Sequence, residues 1–301
     1  MSATTEQLSE LARIARVDAL KELRIAQSGH PGSSLSAMDA MVALYFGGFL
    51  RHRVDDPEWE ERDVFVLSPG HAAPGYYAVL ALAGYFERAE LATLRQLGSR
   101  LEGHVKRGSL PGIEFSSGSL GQGLGFGAGV AYAMRLRGGS DRRVFVLGSD
   151  GEQQEGSVWE TVMFAASHGL SNLVAVVDVN RNQINGPTHE IMPVMDELAP
   201  KYEAFGWKTI EIDGNEMAAV VGALSHAREA NAPTAIISHT VTGKGVPFME
   251  GDFHWHHGHT TNNQFLQAMA ALGEEVSPAP DESWEPGATP LPEWALELAH
   301  V

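Results

Sequence analysis

Asp150 and Asn180 each follow a short run of apolar, largely β-branched residues and open a polar, glycine-bearing turn. The first run, Val144-Phe145-Val146-Leu147-Gly148-Ser149, leads into Asp150-Gly151-Glu152-Gln153-Gln154-Glu155-Gly156. The second, Leu173 to Val177, leads into Asp178-Val179-Asn180-Arg181-Asn182-Gln183-Ile184-Asn185-Gly186. Such runs read as buried strands. With the helical stretch Val158–His168 between them they make a βαβ unit, whose crossover sets two parallel strands side by side with their carboxyl ends on one edge. Asp150 and Asn180 can therefore meet although 30 residues separate them. One carboxylate, one amide oxygen and a backbone carbonyl are hard oxygen donors, which suit Mg²⁺ or Ca²⁺ when phosphate oxygens complete the shell. Asp, Asn and Gly are common in turns for conformational reasons alone. Their joint placement at the ends of neighbouring strands, where such folds bind cofactors, favours ligation of a diphosphate.

The second set of candidates is histidines. Among the 13, His30, His71 and His104 each directly follow a glycine, a flexible approach that lets backbone and imidazole come close to a ligand. Imidazole suits proton transfer in both directions near neutral pH. His52, His168, His189, His226 and His300 lack such a context and read as surface or core residues.

These residues need a scaffold that delivers them to one place. Apolar residues recur at helical spacing from Thr5 to Gln27, and further helical stretches cover Ala37–Phe49, Gly123–Leu136 and Met217–Glu229. Additional strands are expected at Val64–Leu67, Lys208–Ile212 and Thr234–Ser238. The alternation predicts an α/β fold, a mostly parallel sheet with helices on both faces, occupying residues 1–272. From 273 to 301 five prolines and several acidic residues predict an extended tail without regular elements, except for one or two helical turns between Pro292 and His300 that dock on a neighbour.

Composition narrows the partners. The chain has 301 residues, 44% of them hydrophobic, enough for a large core. A formal charge of −17 repels nucleic acid and anionic membranes. No apolar run is long enough to cross a bilayer, and the polar start Met1 to Gln7 lacks the blocks of a signal peptide, so a cytoplasmic location is the expectation. With no cysteine, any metal must be held by oxygen or histidine.

The paired segments at Asp150 and Asn180 resemble the thiamine diphosphate signature, with Ser149 in place of the usual first glycine. Other stretches resemble the transketolase family. Ser28-Gly29-His30-Pro31-Gly32-Ser33 looks like its first histidine motif, Ser68-Pro69-Gly70-His71-Ala72 its second and Glu102-Gly103-His104 its third. Ser117-Gly118-Ser119-Leu120-Gly121-Gln122-Gly123 is similar to its glycine-rich run, and Gly243-Lys244-Gly245 through His254-Trp255-His256-His257-Gly258 to its last histidine motif. These matches follow family order across about residues 10 to 260.

The resemblance implies a thiamine diphosphate-binding fold and a set of roles. Asp150 and Asn180 would bind the metal through side chains and Asn182 through its backbone carbonyl. Gly151 and the start of the following helix at Ser157 would receive the diphosphate, and His71 would hydrogen-bond it. Gly118 and the Leu120 backbone would contact the aminopyrimidine ring, with Ile184 and Asn180 also at the cofactor. His30, His104 and one of His256 and His257 would face a sugar: the spacing from Phe248-Met249-Glu250 favours His256, and adjacency to Gly258 favours His257. Glu155 matches a glutamate found between paired cofactor sites.

The implied reaction is ketol transfer, in which a two-carbon unit passes from a ketose, expected to be phosphorylated, to an aldose. The family's activating glutamate and its pyrimidine-binding domain find no match, so the expected partner is a second, C-terminal transketolase subunit in an α2β2 heterotetramer. The α subunit of a 2-oxo acid dehydrogenase E1 component shares the metal signature, but His30, His71 and His104 suit a polyhydroxylated substrate instead. A catalytically silent subunit that only binds a partner would not need Asp150 and Asn180.

Overall fold

The computed structural model describes residues 3–138 and 141–298. Helix α1 (Thr5–Ala26) opens with a capping box: Thr4 Oγ1 accepts from the Gln7 amide at 3.3 Å and Gln7 Oε1 accepts from the Thr4 amide at 2.8 Å. Helices α2 (Pro31–Ser36) and α3 (Met38–Phe46) precede strand β1 (Val64–Leu67), and α4 (Ala73–Leu82) follows it. Then come α5 (Gln122–Leu136), β2 (Val144–Ser149), α6 (Gly156–Ser167) and β3 (Leu173–Val179). A two-residue hairpin, β4 (Asn182–Gln183) with β5 (Gly186–Pro187), leads to α7 (Thr188–Ile191) and α8 (Ala199–Ala204). The chain continues through β6 (Lys208–Asp213), α9 (Met217–Glu229), β7 (Thr234–His239), α10 (Asn262–Ala271) and α11 (Glu293–Leu298).

The five longer strands form one all-parallel sheet in the order β1-β2-β3-β7-β6. Side chains alternate across a strand. Phe65, Leu67, Phe145, Leu147, Val174 and Val176 therefore join a core with α1, α3, α4 and α9, while Val64, Val66, Val144, Val146, Ala175 and Val177 join another with α5, α6 and α8. Burial on both faces is why these strands read as continuous apolar runs rather than alternating ones. β6 is an edge strand and is charged, with exposed Lys208 and Glu211. No helix of the described residues is long and apolar enough to cross a membrane.

All five expected strands and the opening helix form. In the tail, helix α11 forms within the stretch where helical turns are expected, and the departure is a 3₁₀ turn at Glu282–Trp284, because side chains dock the tail where prolines cannot pair backbones. Trp284 is buried against Phe265, with ring centroids 4.5 Å apart. The Gly287 amide donates to Asp18 Oδ1 at 3.0 Å, Arg88 Nη1 donates to the Thr289 carbonyl at 2.8 Å, and Lys21 Nζ to Thr289 Oγ1 at 3.2 Å. The helix expected to dock on a neighbour buries Ala295 in the chain's own core. His300 lies outside the described residues.

Candidate active site

β2 and β3 pair with Ser149 opposite Asp178, so their turns emerge at the same sheet edge. Asp150 Oδ1 accepts from the Gly151 amide at 2.8 Å, and Oδ2 accepts from the Arg181 amide at 2.7 Å and from Thr188 Oγ1 at 3.4 Å. Asn180 Nδ2 donates to Asp178 Oδ2 at 3.0 Å and to Ser36 Oγ at 3.2 Å, while its Oδ1 accepts from the Asn182 amide at 3.1 Å. The side-chain amide of Asn182 is committed elsewhere, to Thr242 Oγ1 at 2.7 Å and to the Asn180 and Gly251 carbonyls at 3.3 Å. No hydrogen bond of the described residues engages the Asn182 carbonyl, which stays available to a ligand.

Asp150 and Asp178 are both buried, and neither pairs with a lysine or arginine among the described residues. Burial, reinforced by Asp178, pushes the Asp150 carboxyl up to about 7, and burial pushes Asp178 up to about 6. Carboxylates so disfavoured in the charged form are matched by a cation. Among the described residues no three histidines or carboxylates converge on a metal-sized gap. A metal at Asp150 must therefore be taken by the mixed oxygen set, with other ligands from a bound anion, as a hard divalent cation allows. The residues present fit that group.

Asp150 and Asn180 open on a cleft of about 200 Å³. Leu120, Gly151, Glu155, Asn182, Ile184, His71 and His256 also line it. Ile184 stands 64% exposed at the rim, an apolar side chain available to a ligand or partner. Gly118 is not in the lining: a Cβ built on it would stand 3.5 Å from His104. Between β2 and α6 the chain makes a 3₁₀ turn, Gly151–Gln154, so the amides next to Asp150 belong to that turn and α6 begins only at Gly156.

Five imidazoles gather beside the cleft. The His30 ring lies 5.2 Å from His71, 5.5 Å from His256, 4.7 Å from His257 and 6.3 Å from His104, and His71 lies 5.0 Å from His256. His30 is the N-cap of α2, with Pro31 at the favoured first position, and His71 sits in the 3₁₀ turn Gly70–Ala72 after β1. His256 ends another 3₁₀ turn, Phe253–His256. Backbone bonds from Gly258 to the Gly29 carbonyl at 2.9 Å and from Gly243 to the Gly32 carbonyl at 3.2 Å stitch the first and last motifs together. His30 is thus in contact with both candidates at 256 and 257, but of the two only His256 lines the cleft. Burial, then the neighbouring His71, depresses His30 to about 2; burial, then His256 and His104, depresses His71 to about 3. His104 and His256 are also lowered, mainly by burial. These four imidazoles are neutral at pH 7, each able to accept a proton or hydrogen bond at one nitrogen and donate at the other.

Sequence reasoning missed three residues. Asp178 lies in the signature itself, two residues before Asn180. Arg95, held at φ 59°, donates from Nη1 to Ser28 Oγ at 2.7 Å and from Nη2 to the Gly103 carbonyl at 3.4 Å, bracing the approaches to His30 and His104. Glu152 is buried in the cleft wall. Only tertiary contact distinguishes the last two from ordinary charged residues.

Residues 5–281 match the family model described as transketolase, thiamine diphosphate binding domain, which fixes the class of domain that this sheet and cleft build. The chain belongs to the transketolase family. It is 39% identical over 252 residues to an apulose-4-phosphate transketolase subunit of Phocaeicola vulgatus, covering 83% of this chain and 88% of that protein. To the 6-deoxy-6-sulfo-D-fructose transketolase subunit SqwG of a Clostridium species it is 37% identical over 276 residues, 91% and 99% of the two chains. Human transketolase is 40% identical over 272 residues, but these are only 43% of its length. The transketolase of Campylobacter jejuni superposes with a TM-score of 0.87 at 29% identity, covering 99% of this chain and 47% of that one. The chain thus spans less than half the length of the solved transketolases it matches.

Proposed function

We propose that this chain is the thiamine diphosphate-binding subunit of a two-chain transketolase that transfers a ketol unit from a ketose to an aldose. The observation that carries the reading is one cleft in which the oxygen donors Asp150, Asn180 and Asn182 meet His71 and His256, the inner members of a five-imidazole cluster. The likeness to two chains that are themselves named transketolase subunits, over 88% and 99% of their lengths, supports action with a partner chain. Both relatives are named for sugars bearing an anionic group, which supports an anionic ketose as donor.

Bound thiamine diphosphate supplies the carbon nucleophile and electron sink for breaking the bond next to a ketose carbonyl. The chain's own residues bind, orient and handle protons. Asp150, Asn180 and the Asn182 carbonyl hold Mg²⁺, or Ca²⁺ in its place, and Gly151 leaves room beside it for the diphosphate. His71 hydrogen-bonds the diphosphate; Leu120 and Ile184 flank the cofactor's rings, with Gly118 behind that wall against His104. His30, His104 and His256, with His257 at the outer edge, face the sugar hydroxyls and exchange hydrogen bonds and protons with them. Glu155, exposed at the cleft, faces the paired site of an α2β2 assembly. Calorimetry of thiamine diphosphate with and without Mg²⁺, in the presence of the partner chain, tests this. Metal-dependent binding is expected, and failure to bind under both conditions would overturn the reading.

A further inference from the structure

Helix α5 begins at the cleft with a glycine for a cap. Gly121, at φ 80°, has no side chain to accept from the first-turn amides, which must find partners elsewhere. Two amides at this end find them on the turns that follow β1 and β2. The Gly121 amide donates to Glu152 Oε1 at 2.7 Å, the Gly123 amide donates to Ser68 Oγ at 3.2 Å, and Ser68 Oγ in turn donates to Glu152 Oε1. Glu152 Oε2 also takes the Ser149 amide at 3.4 Å. A Cβ on Gly123 would lie 2.3 Å from Ser68 Oγ, so the helix end approaches β1 too closely for any side chain there. From the other side Ser157 Oγ donates to the Gly121 carbonyl at 3.2 Å. Glu152 is 2% exposed, and its negative charge lies where a helix's positive end favours it.

We propose that Glu152 is a positioning residue of the cofactor site: by capping α5 from the end of β2 it fixes Leu120 to Gly123 as the wall against which the cofactor's ring end lies. This rests on the reading of the cleft as a thiamine diphosphate site. It divides the labour of the 150–155 turn: Asp150 serves the metal and diphosphate, and Glu152, two residues on, serves the ring end. Leu120 and Glu152 share the cleft lining, so a shift of the capped segment changes the shape of that wall without touching the metal set.

The test compares Glu152→Ala and Glu152→Gln in the full chain, with hydrogen exchange read first. In Glu152→Ala the peptides covering 117–126 should exchange roughly tenfold faster, the scale of losing a helix cap, while those covering 173–179 stay protected. Glu152→Gln, whose amide oxygen can still accept from Gly121 and Ser68, should exchange as the wild type does. Calorimetry with Mg²⁺ then compares thiamine diphosphate with inorganic pyrophosphate, in the presence of the partner chain. Glu152→Ala should weaken thiamine diphosphate by roughly tenfold and leave pyrophosphate within about threefold, with Glu152→Gln restoring the difference. Unchanged exchange at 117–126 would overturn the cap. Equal losses for both ligands, or none, would overturn the positioning role. If the wild-type chain binds neither ligand, the cofactor reading itself falls, whatever the exchange shows.

Discussion

Asp150 Oδ2 accepts the Arg181 amide hydrogen at 2.7 Å, latching the end of β2 to the end of β3 beside Asn180. The latch is local, and Asp150 itself adds no apolar contact to either core. Asp150→Ala should abolish metal-dependent binding of thiamine diphosphate while far-UV circular dichroism stays that of the wild type. Affinity in calorimetry equal to the wild type's would remove Asp150 from the metal site.

Single alanine variants of His30, His104 and His256 should lower ketose turnover by roughly 10²-fold, the scale of a lost acid–base group, with little change in cofactor affinity. His71→Ala should instead weaken the cofactor. His71 also meets Ser33 Oγ at 3.2 Å and packs against both His30 and His256, so identical profiles for His71→Ala and His30→Ala would erase the division between diphosphate and sugar histidines. Because burial holds His30 and His71 at about 2 and about 3, their ring NMR signals should not move between roughly pH 7.5 and 5.5, where free imidazole titrates. A titrating His30 signal in that window would contradict the packing of the cluster.

Glu22 on α1 is fully buried, and neither carboxylate oxygen has a hydrogen-bond partner among the described residues. Burial, with Asp18 nearby, raises its pKa well above the ordinary value. A carboxyl whose folded pKa exceeds its unfolded value of about 4.3 costs stability only above that pH, and more as pH rises. Glu22→Met should therefore raise the melting temperature at pH 8 and gain progressively less toward pH 5. The same shift at both pH values would show that packing, not charge, is responsible.

Trp284→Ala should destabilise the chain by about 3–5 kcal/mol, because it empties a buried aromatic site under α10. Urea unfolding measures it. A loss below about 1 kcal/mol would mean that the tail is not a working part of the core.

β1, β2 and β3 were legible because each is buried on both faces and so is written as an apolar run, Val64–Leu67 coinciding with the strand that forms, whereas the charged edge strand β6 gave a weaker signal. Helix α2 was not, since Pro31-Gly32-Ser33-Ser34 carries no apolar stripe and is held by packing against α1 and α4. Helix α4 is apolar all round, which removes the periodicity that announces a helix. At the site, Asp150, Asn180 and the histidines stand in ordered motifs and could be picked out one by one. The choice between His256 and His257 could not, because adjacent residues differ only in which way the turn points them. Glu152 and Arg95 act on groups far away in sequence, the Gly121 amide and the Ser28 hydroxyl, and nothing in their own surroundings records that.

Ketol transfer measured with and without a second chain tests the central claim most directly. Purified alone, this polypeptide should show essentially no transfer from an anionic ketose to an aldose, and activity should rise with added partner until the two chains are equimolar. The activating carboxylate of the family is expected from that partner, and the pair should run as an α2β2 heterotetramer. Robust transfer by this chain alone, with mass spectrometry excluding a co-purified partner, would contradict the account.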